Sequence, residues 1–216
     1  MSYKLIDMDT YKRKSHFEYF NSLAMPYVGV TVNVNITDLV KILKSNKYPF
    51  FVSLCYCVTK AANQVKEFRQ RIVDNKIIEF DECTSAYTLA LDDGTYCHCK
   101  LGPTLPYFEF LPIALKNQEI ARAQKSIEES DDDKLKGFYI SSVPWISYTA
   151  LLNPVPIPAD SNPRITWGKY YEENGKILIP ISVLCNHAIV DGLHISQFYT
   201  NLDNEIKKLI DTIVNK

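Results

Sequence analysis

The chain has 216 residues, of which 46% are hydrophobic and 23% charged, with 7 glycines; this excludes a disordered or fibrous chain and supplies ample apolar surface for a core. A net charge of −1 offers no single-signed field for nucleic acid or an anionic membrane. No stretch approaches the ~20 apolar residues of a membrane span, and MSYKLIDMDTYKRKSHF lacks the apolar stretch of a secretory signal. The expected setting is the cytoplasm. Cys55, Cys57, Cys83, Cys97, Cys99 and Cys185 are then reduced thiols that pack as small hydrophobes.

In chain order, YVGVTVNVNI (27–36) alternates and is β-branched, the pattern of a strand. TDLVKILKSN follows as a short helix with Thr37 as its cap. FFVSLCYCVTKAANQVKEFRQRI (50–72) reads as one long buried helix. KIIEF (76–80) is a strand. SAYTLALDDGTYCHCKL (85–101) is two strands turned at Asp93-Gly94. NQEIARAQKSIEES (117–130) is a surface helix, and DDDK (131–134) a solvated loop. GFYISSVPWISYTALLN (137–153) leads into the proline-rich loop NPVPIPADSNP (153–163). RITWGKYYEENGKILIPISVLCNHA (164–188) is a hairpin turned at Asn174-Gly175. In the last helix Ile195, Phe198, Leu202, Ile206, Leu209 and Ile213 recur at helical spacing. Alternating helices and hairpins predict a single α/β domain over 1–216, a two-layer sandwich of a mixed sheet with helices packed on one side.

The chemistry concentrates in NHAIVDGLH (186–194). A nearly all-apolar strand, KILIPISVLC, runs into His187, and Asp191-Gly192 is turn chemistry. A neutral imidazole there can take a proton from a hydroxyl. Asp191 either orients that ring or pairs with a base elsewhere and holds the loop. Two other chemistries use the same residues. Cys185 and His187 share a strand face, as a thiol nucleophile and its base would. His187, Asp191 and His194 have ligand spacing only on a continuous helix, which Gly192 opposes. The CHCK stretch at 97–100 lacks a second ligand pair for zinc. No metal site is expected.

The motif His, three residues, Asp-Gly, then a helix resembles the chloramphenicol acetyltransferase family. TYKRKSHFEYF (10–20), SSVPWISYT (141–149) and PRITWGKYYEENGKILIPISV (163–183) resemble further family stretches in the same order. The motif alone is shared with dihydrolipoyl acyltransferases and peptide-synthetase condensation domains; the four stretches together are more specific. The resemblance implies a trimer with active sites between subunits and direct acetyl transfer from acetyl-CoA, a co-substrate and not a resident cofactor, to a small alcohol. It gives His187 the role of general base and Ser141 that of oxyanion donor. Thr166 assists the intermediate through water. Asp191 and Arg13 form a structural ion pair. Trp145, Lys169 and Tyr170 contact the coenzyme, and Phe20, Val28, Tyr96 and Leu151 line the acceptor pocket.

The sequence departs from that pattern around the acceptor. Asn186 replaces a second histidine, Val190 a cysteine, Phe20 a tyrosine and Tyr96 a phenylalanine. Asn153 and Arg164 replace apolar residues, and a charge there must be paired or point away. Chloramphenicol is the first expected acceptor and another small hydroxylated compound the second. A lipoamide acyltransferase core would show Asp-His-Arg where this chain has Asn-His-Ala. A non-catalytic trimeric binding protein is the remaining alternative, and His187, Ser141 and Thr166 speak against it.

Overall fold

The computed structural model describes residues 3–102, 104–128 and 130–216. In chain order the elements are β1 (Tyr3–Leu5), α1 (Lys14–Asn21), β2 (Tyr27–Asn35), α2 (Thr37–Ser45), α3 (Phe50–Asn63), a 3₁₀ turn (Lys66–Arg69), β3 (Gln70–Val73) and β4 (Lys76–Phe80). β5 (Ser85–Ala90), β6 (Tyr96–Lys100), α4 (Tyr107–Gln124), α5 (Asp131–Lys136), β7 (Phe138–Val143), β8 (Arg164–Gly168), β9 (Tyr171–Glu173), β10 (Lys176–Asn186) and α6 (Gly192–Val214) follow. The main sheet runs β2-β10-β8-β7-β5-β6, with β9 also paired to β10, and a small sheet runs β1-β4-β3. β7 is parallel to both β5 and β8, and the other pairs are antiparallel, so the sheet is mixed.

Side-chain alternation divides this sheet into two unlike faces. Ile179, Ile181, Val183 and Cys185 of β10 are buried beside Ile165 and Trp167 of β8, Ile140 of β7, Tyr87 of β5 and Cys97 and Cys99 of β6. They join one core with α3 and with the six apolar residues of α6 expected to face inward. The intervening positions place Thr31, Ser182, Thr166 and Ser141 side by side across β2, β10, β8 and β7. Thr88 of β5 continues the row, its hydroxyl 3.0 Å from that of Ser141.

The structure corrects four local expectations. Residues 50–72 are not one helix: α3 stops at Asn63, Val65 turns extended, and a 3₁₀ turn and β3 follow. Asn63 secures the break, its amide donating to the Thr59 and Cys83 carbonyls while its own carbonyl accepts from Arg69 Nε. Thr37 does not cap α2. Asn35 Oδ1 accepts from its amide and its hydroxyl, and the Thr37 hydroxyl accepts from Ile177 N at 2.8 Å. DDDK opens α5 and is not a loop. The helix expected over 117–130 starts earlier, at Tyr107, because Tyr107, Phe110, Leu111 and Ala114 are buried, and it ends at Gln124, where Lys125 is left-handed; residue 129 lies outside the described residues.

Arg71 fastens the small sheet to the strand that carries Ser141. Its side chain is among the largest that are fully buried. It donates to the carbonyls of Leu135 (2.7 Å), Phe68 (2.8 Å), Gln70 (2.7 Å) and Gly137 (3.0 Å), joining the 3₁₀ turn and β3 to the end of α5. Burial pushes its pKa down, yet a guanidinium is so basic that it keeps its charge. Arg71→Met should cost about 3–5 kcal/mol of unfolding free energy in urea titrations, because it strands several buried carbonyls without donors. A loss below about 1 kcal/mol would show that those carbonyls find other donors.

Candidate active site

β10 delivers its last residue, Asn186, to the edge of the core, and the chain turns there. Asn186 Oδ1 accepts from Ala188 N at 3.0 Å, and its amide donates to the Asp160 carbonyl at 2.8 Å. His187 comes next, half-buried, with its backbone amide donating to the Pro26 carbonyl at 2.7 Å. Its ring stacks on Phe20, with centroids 3.9 Å apart and planes 15° from parallel. Nδ1 lies 2.9 Å from the Val190 carbonyl. A carbonyl only accepts, so in this bond Nδ1 carries the proton, and in the neutral ring Nε2 is the nitrogen that keeps a lone pair.

The turn after His187 is locked by α6. Asp191 is the N-cap: its carboxylate accepts from Leu193 N at 3.0 Å, while its own amide donates to His194 Nδ1 at 3.0 Å. This is a capping box with histidine in the place glutamate or glutamine usually fills. Arg13, from the residue preceding α1, forms an ion pair and hydrogen bond with Asp191. Burial alone raises the Asp191 pKa, but the hydrogen bond and charge of Arg13 and the Leu193 amide outweigh it, holding the carboxyl below its ordinary value. Asp191 therefore anchors the loop and does not orient His187, whose Nδ1 is bonded to a carbonyl. Cys185, buried with its pKa pushed far up by desolvation, has no thiolate to offer. Among the described residues no group of three or more His, Cys, Asp or Glu could hold a metal ion.

A second locus lies on the polar face of the sheet. A groove of about 590 Å³ is lined by Ser141, Thr88, Tyr96, Trp145, Asn153 and Arg164, among others. Thr166 is buried beneath, its hydroxyl accepting from the Asn153 amide at 3.0 Å. Trp145 is 74% exposed at the rim. The loop carrying it crosses β8 closely: Lys169 N donates to the Ile146 carbonyl at 2.7 Å. A Cβ on Gly168 would lie 2.9 Å from that same carbonyl oxygen, so glycine is required there. Lys169 and Tyr170 are exposed in the connection from β8 to β9, and Tyr170 meets the Phe50 ring edge-on at 5.6 Å. Leu151 is half-buried in the approach to the proline-rich segment.

The substituted charge is paired, as its burial requires. Arg164 makes two 2.8 Å bonds to the Asp160 carboxylate, whose Oδ1 also accepts from Tyr27 OH at 3.0 Å. Burial and the neighbouring Asp160 charge push the Tyr27 phenol up to about 12. This knot clips the proline-rich loop to β2 and β8. Neither it nor the hydroxyl row was apparent in the linear reading, although threonine or serine in VGVTV, RITW and ILIPISV was the signal. His194 was likewise missed as a cap.

The expected site residues thus fall into two groups. His187, Phe20, Asp191 and Arg13 cluster at the end of β10, and Val28, opposite Cys185 on β2, packs near them on the core side. Ser141, Thr166, Tyr96 and Trp145 belong to the groove and its floor. Ser141 is in register with Thr166 and Thr166 with Ser182, while His187 is five residues beyond Ser182. With a rise of ~3.3 Å per residue and strands ~4.8 Å apart, His187 and Ser141 are on the order of 19 Å apart in one chain.

Comparison with known proteins accords with this architecture. The family model described as chloramphenicol acetyltransferase matches residues 1–203. A chloramphenicol acetyltransferase of Vibrio anguillarum is 30% identical over 213 residues, 97% of this chain and 96% of its own. One of Proteus mirabilis is 29% identical over 215 residues, covering 96% and 94%. A solved chloramphenicol acetyltransferase superposes with a TM-score of 0.83 at 20% identity, over 95% of this chain and 100% of that one. A dihydrolipoamide acetyltransferase of Azotobacter vinelandii shares the fold at a TM-score of 0.65 and 18% identity. With a two-faced mixed sheet, a capped histidine turn and a family match over nearly its whole length, this chain belongs to the chloramphenicol acetyltransferase family.

Proposed function

We propose that residues 1–216 form one cytoplasmic acetyltransferase domain that transfers the acetyl group of acetyl-CoA directly to a hydroxyl of chloramphenicol. The observation that carries this reading is the bond from His187 Nδ1 to the Val190 carbonyl, which leaves Nε2 as a proton acceptor at a half-buried position. Nε2 takes the proton of the acceptor hydroxyl as its oxygen attacks the thioester carbonyl. The Ser141 hydroxyl donates to the resulting oxyanion, with Thr166 assisting from beneath. The tetrahedral intermediate collapses, the C–S bond breaks, and the proton on Nε2 passes to the coenzyme sulfur. The products are an acetyl ester and a free thiol.

His187 and Ser141 cannot both reach one acceptor across ~19 Å. The reading therefore includes a homotrimer in which His187 of one copy faces Ser141 of the next. Phe20 enters the acceptor pocket from the histidine side, backed by Val28 on the core side, and Tyr96 and Leu151 enter from the groove side. Trp145, after β7, and Lys169 and Tyr170, between β8 and β9, are exposed on two loops joined by the Lys169 N–Ile146 carbonyl bond and form the coenzyme's approach. A second reading, another small hydroxylated acceptor, is favoured by the polar floor that Asn153 and the Arg164–Asp160 pair give the groove. The described residues contain no helix long and apolar enough to cross a membrane.

Purified protein given acetyl-CoA and chloramphenicol should release thiol, followed with a chromogenic disulfide. His187→Ala should lower kcat by about 10³-fold or more, and Ser141→Ala by on the order of 10²-fold with a smaller change in KM. Release only with other hydroxylated compounds would move the assignment to the second reading. Coenzyme binding without release from any acceptor would leave a binding protein.

Asp191→Asn should lower both activity and thermal stability, by about 1–3 kcal/mol, because Arg13 is left part-buried without its partner. The pH dependence has a defined sign. The folded carboxyl titrates below its unfolded value of about 3.9. Its stabilisation is therefore complete above that value and fades as pH falls through the lower folded one. Melting curves between pH 3 and 7 should show a steeper acid loss for the wild type than for Asp191→Asn; parallel curves would remove the anchoring role.

A further inference from the structure

One peptide unit, Val190–Asp191, is held between two imidazoles. Its carbonyl accepts from His187 Nδ1 at 2.9 Å, and its N–H donates to His194 Nδ1 at 3.0 Å. The two rings therefore take opposite tautomers. His187 carries its proton on Nδ1, whereas His194 must leave Nδ1 bare to accept a backbone amide. His194 is buried, and the backbone N–H aimed at Nδ1 at 3.0 Å fixes that nitrogen as the acceptor. Its Nε2 faces Glu67 Oε1 from the 3₁₀ turn at 3.7 Å, which favours hydrogen on that nitrogen. Asp191 Oδ1 lies 3.2 Å from the same Nδ1 and opposes a lone pair there, an opposition that the pairing of this carboxylate with Arg13 and the Leu193 amide reduces. Tyr11, part-buried beside Arg13, completes the charged and titratable groups around the turn.

Taking His187 as the base of the proposed acetyl transfer, we infer that His194 is a positioning residue for the reaction: it fixes the Val190–Asp191 peptide whose carbonyl sets the tautomer and direction of His187. Two physical links carry the effect. A peptide whose N–H is engaged presents a more polarised carbonyl, so the two bonds strengthen each other. The same N–H bond fixes the plane of the peptide, and with it the direction in which the carbonyl points at the catalytic ring. Without the His194 bond the amide would be a part-buried donor with no acceptor, and the turn would rotate to find one. His194 touches neither reactant, and its influence travels through one peptide plane.

The test combines kinetics with nitrogen NMR on the full chain. In protein labelled with ¹⁵N-histidine, His194 Nδ1 should give the resonance of a bare, pyridine-like nitrogen and His187 Nδ1 that of a protonated, pyrrole-like one. A protonated Nδ1 on neutral His194 would overturn the proposal without any substitution. His194→Leu should lower kcat about 10- to 100-fold with KM for the acceptor changed less than about threefold, and should shift His187 toward a mixture of tautomers. His194→Asn, which keeps an acceptor at the δ position, should recover most of that loss. In a His187→Ala background His194→Leu should have no further effect on the residual rate. Equal losses in the Leu and Asn variants, or a second loss added to that of His187→Ala, would reduce His194 to a packing residue. If His194→Leu does not fold, the Asn variant and the spectra decide. Full activity in His187→Ala would instead remove the reading of His187 as the base, a result distinct from any failure of His194.

Discussion

The register of β10 against β2 and β8 is the constraint on which the rest of the molecule depends. Its odd-numbered residues, Ile179 to Cys185, enter the helix-covered core, and its even-numbered Ser182 joins Thr31 at 2.7 Å on the opposite face. A slip of one residue would exchange the faces. It would bury a row of hydroxyls without partners, each costing about 1–3 kcal/mol, and expose the isoleucines. The same register aligns Thr166 with Ser182 and Ser141 with Thr166, and it brings β10 to its end at Asn186, beside Tyr27. Core packing and the placement of both halves of the site are thus one condition, satisfied by one alternating pattern.

That pattern also explains why the histidine and the serine are far apart within the chain. Ser141 is in the middle of the sheet, where neighbouring strands immobilise it. His187 is beyond the sheet's end, where a turn can aim a ring outward. In the proposed function two such residues meet between different copies of the chain. The rigidity that would serve an oxyanion donor and the exposure that would serve a base are met in different parts of the fold, which is why the proposed function includes association of copies.

Much of this was legible in the sequence where the signal is local. The turns at Asp93-Gly94 and Asn174-Gly175 are present, with Gly94, Asn174 and Gly175 at positive φ. The apolar spacing of α6 named its buried face, and His187 and Asp191 stood out beside a glycine. The misreadings came from ambiguity or distance. Val65 and Phe68 continue the apolar pattern of α3 although the chain has left the helix, because the following segment enters the same core. DDDK looks solvated as a loop or as a helix. Thr37 is the first residue of α2, with Ile36 in the cap position and Asn35 accepting from the Thr37 amide. Pairs such as Tyr27 with Asp160, or Thr88 with Ser141, are created by the fold and have no linear signature.

The Arg164–Asp160–Tyr27 knot bears on what the groove can accept. Both guanidinium ends are occupied by one carboxylate, and Tyr27 donates its proton to the same group. The charges cancel locally, so the floor is polar without being a field that attracts an anion or a cation. An acceptor entering there loses water and gains dipoles, which favours neutral molecules with hydroxyl or amide groups over charged ones. Because the same knot holds the proline-rich loop against the sheet, a substitution that made room by removing Arg164 would leave Asp160 unpaired and loosen the wall along with the floor. The polarity of this groove is therefore bound up with its shape, and, if it receives the acceptor as proposed, the acceptor range cannot be widened at that position without disturbing the loop that encloses it.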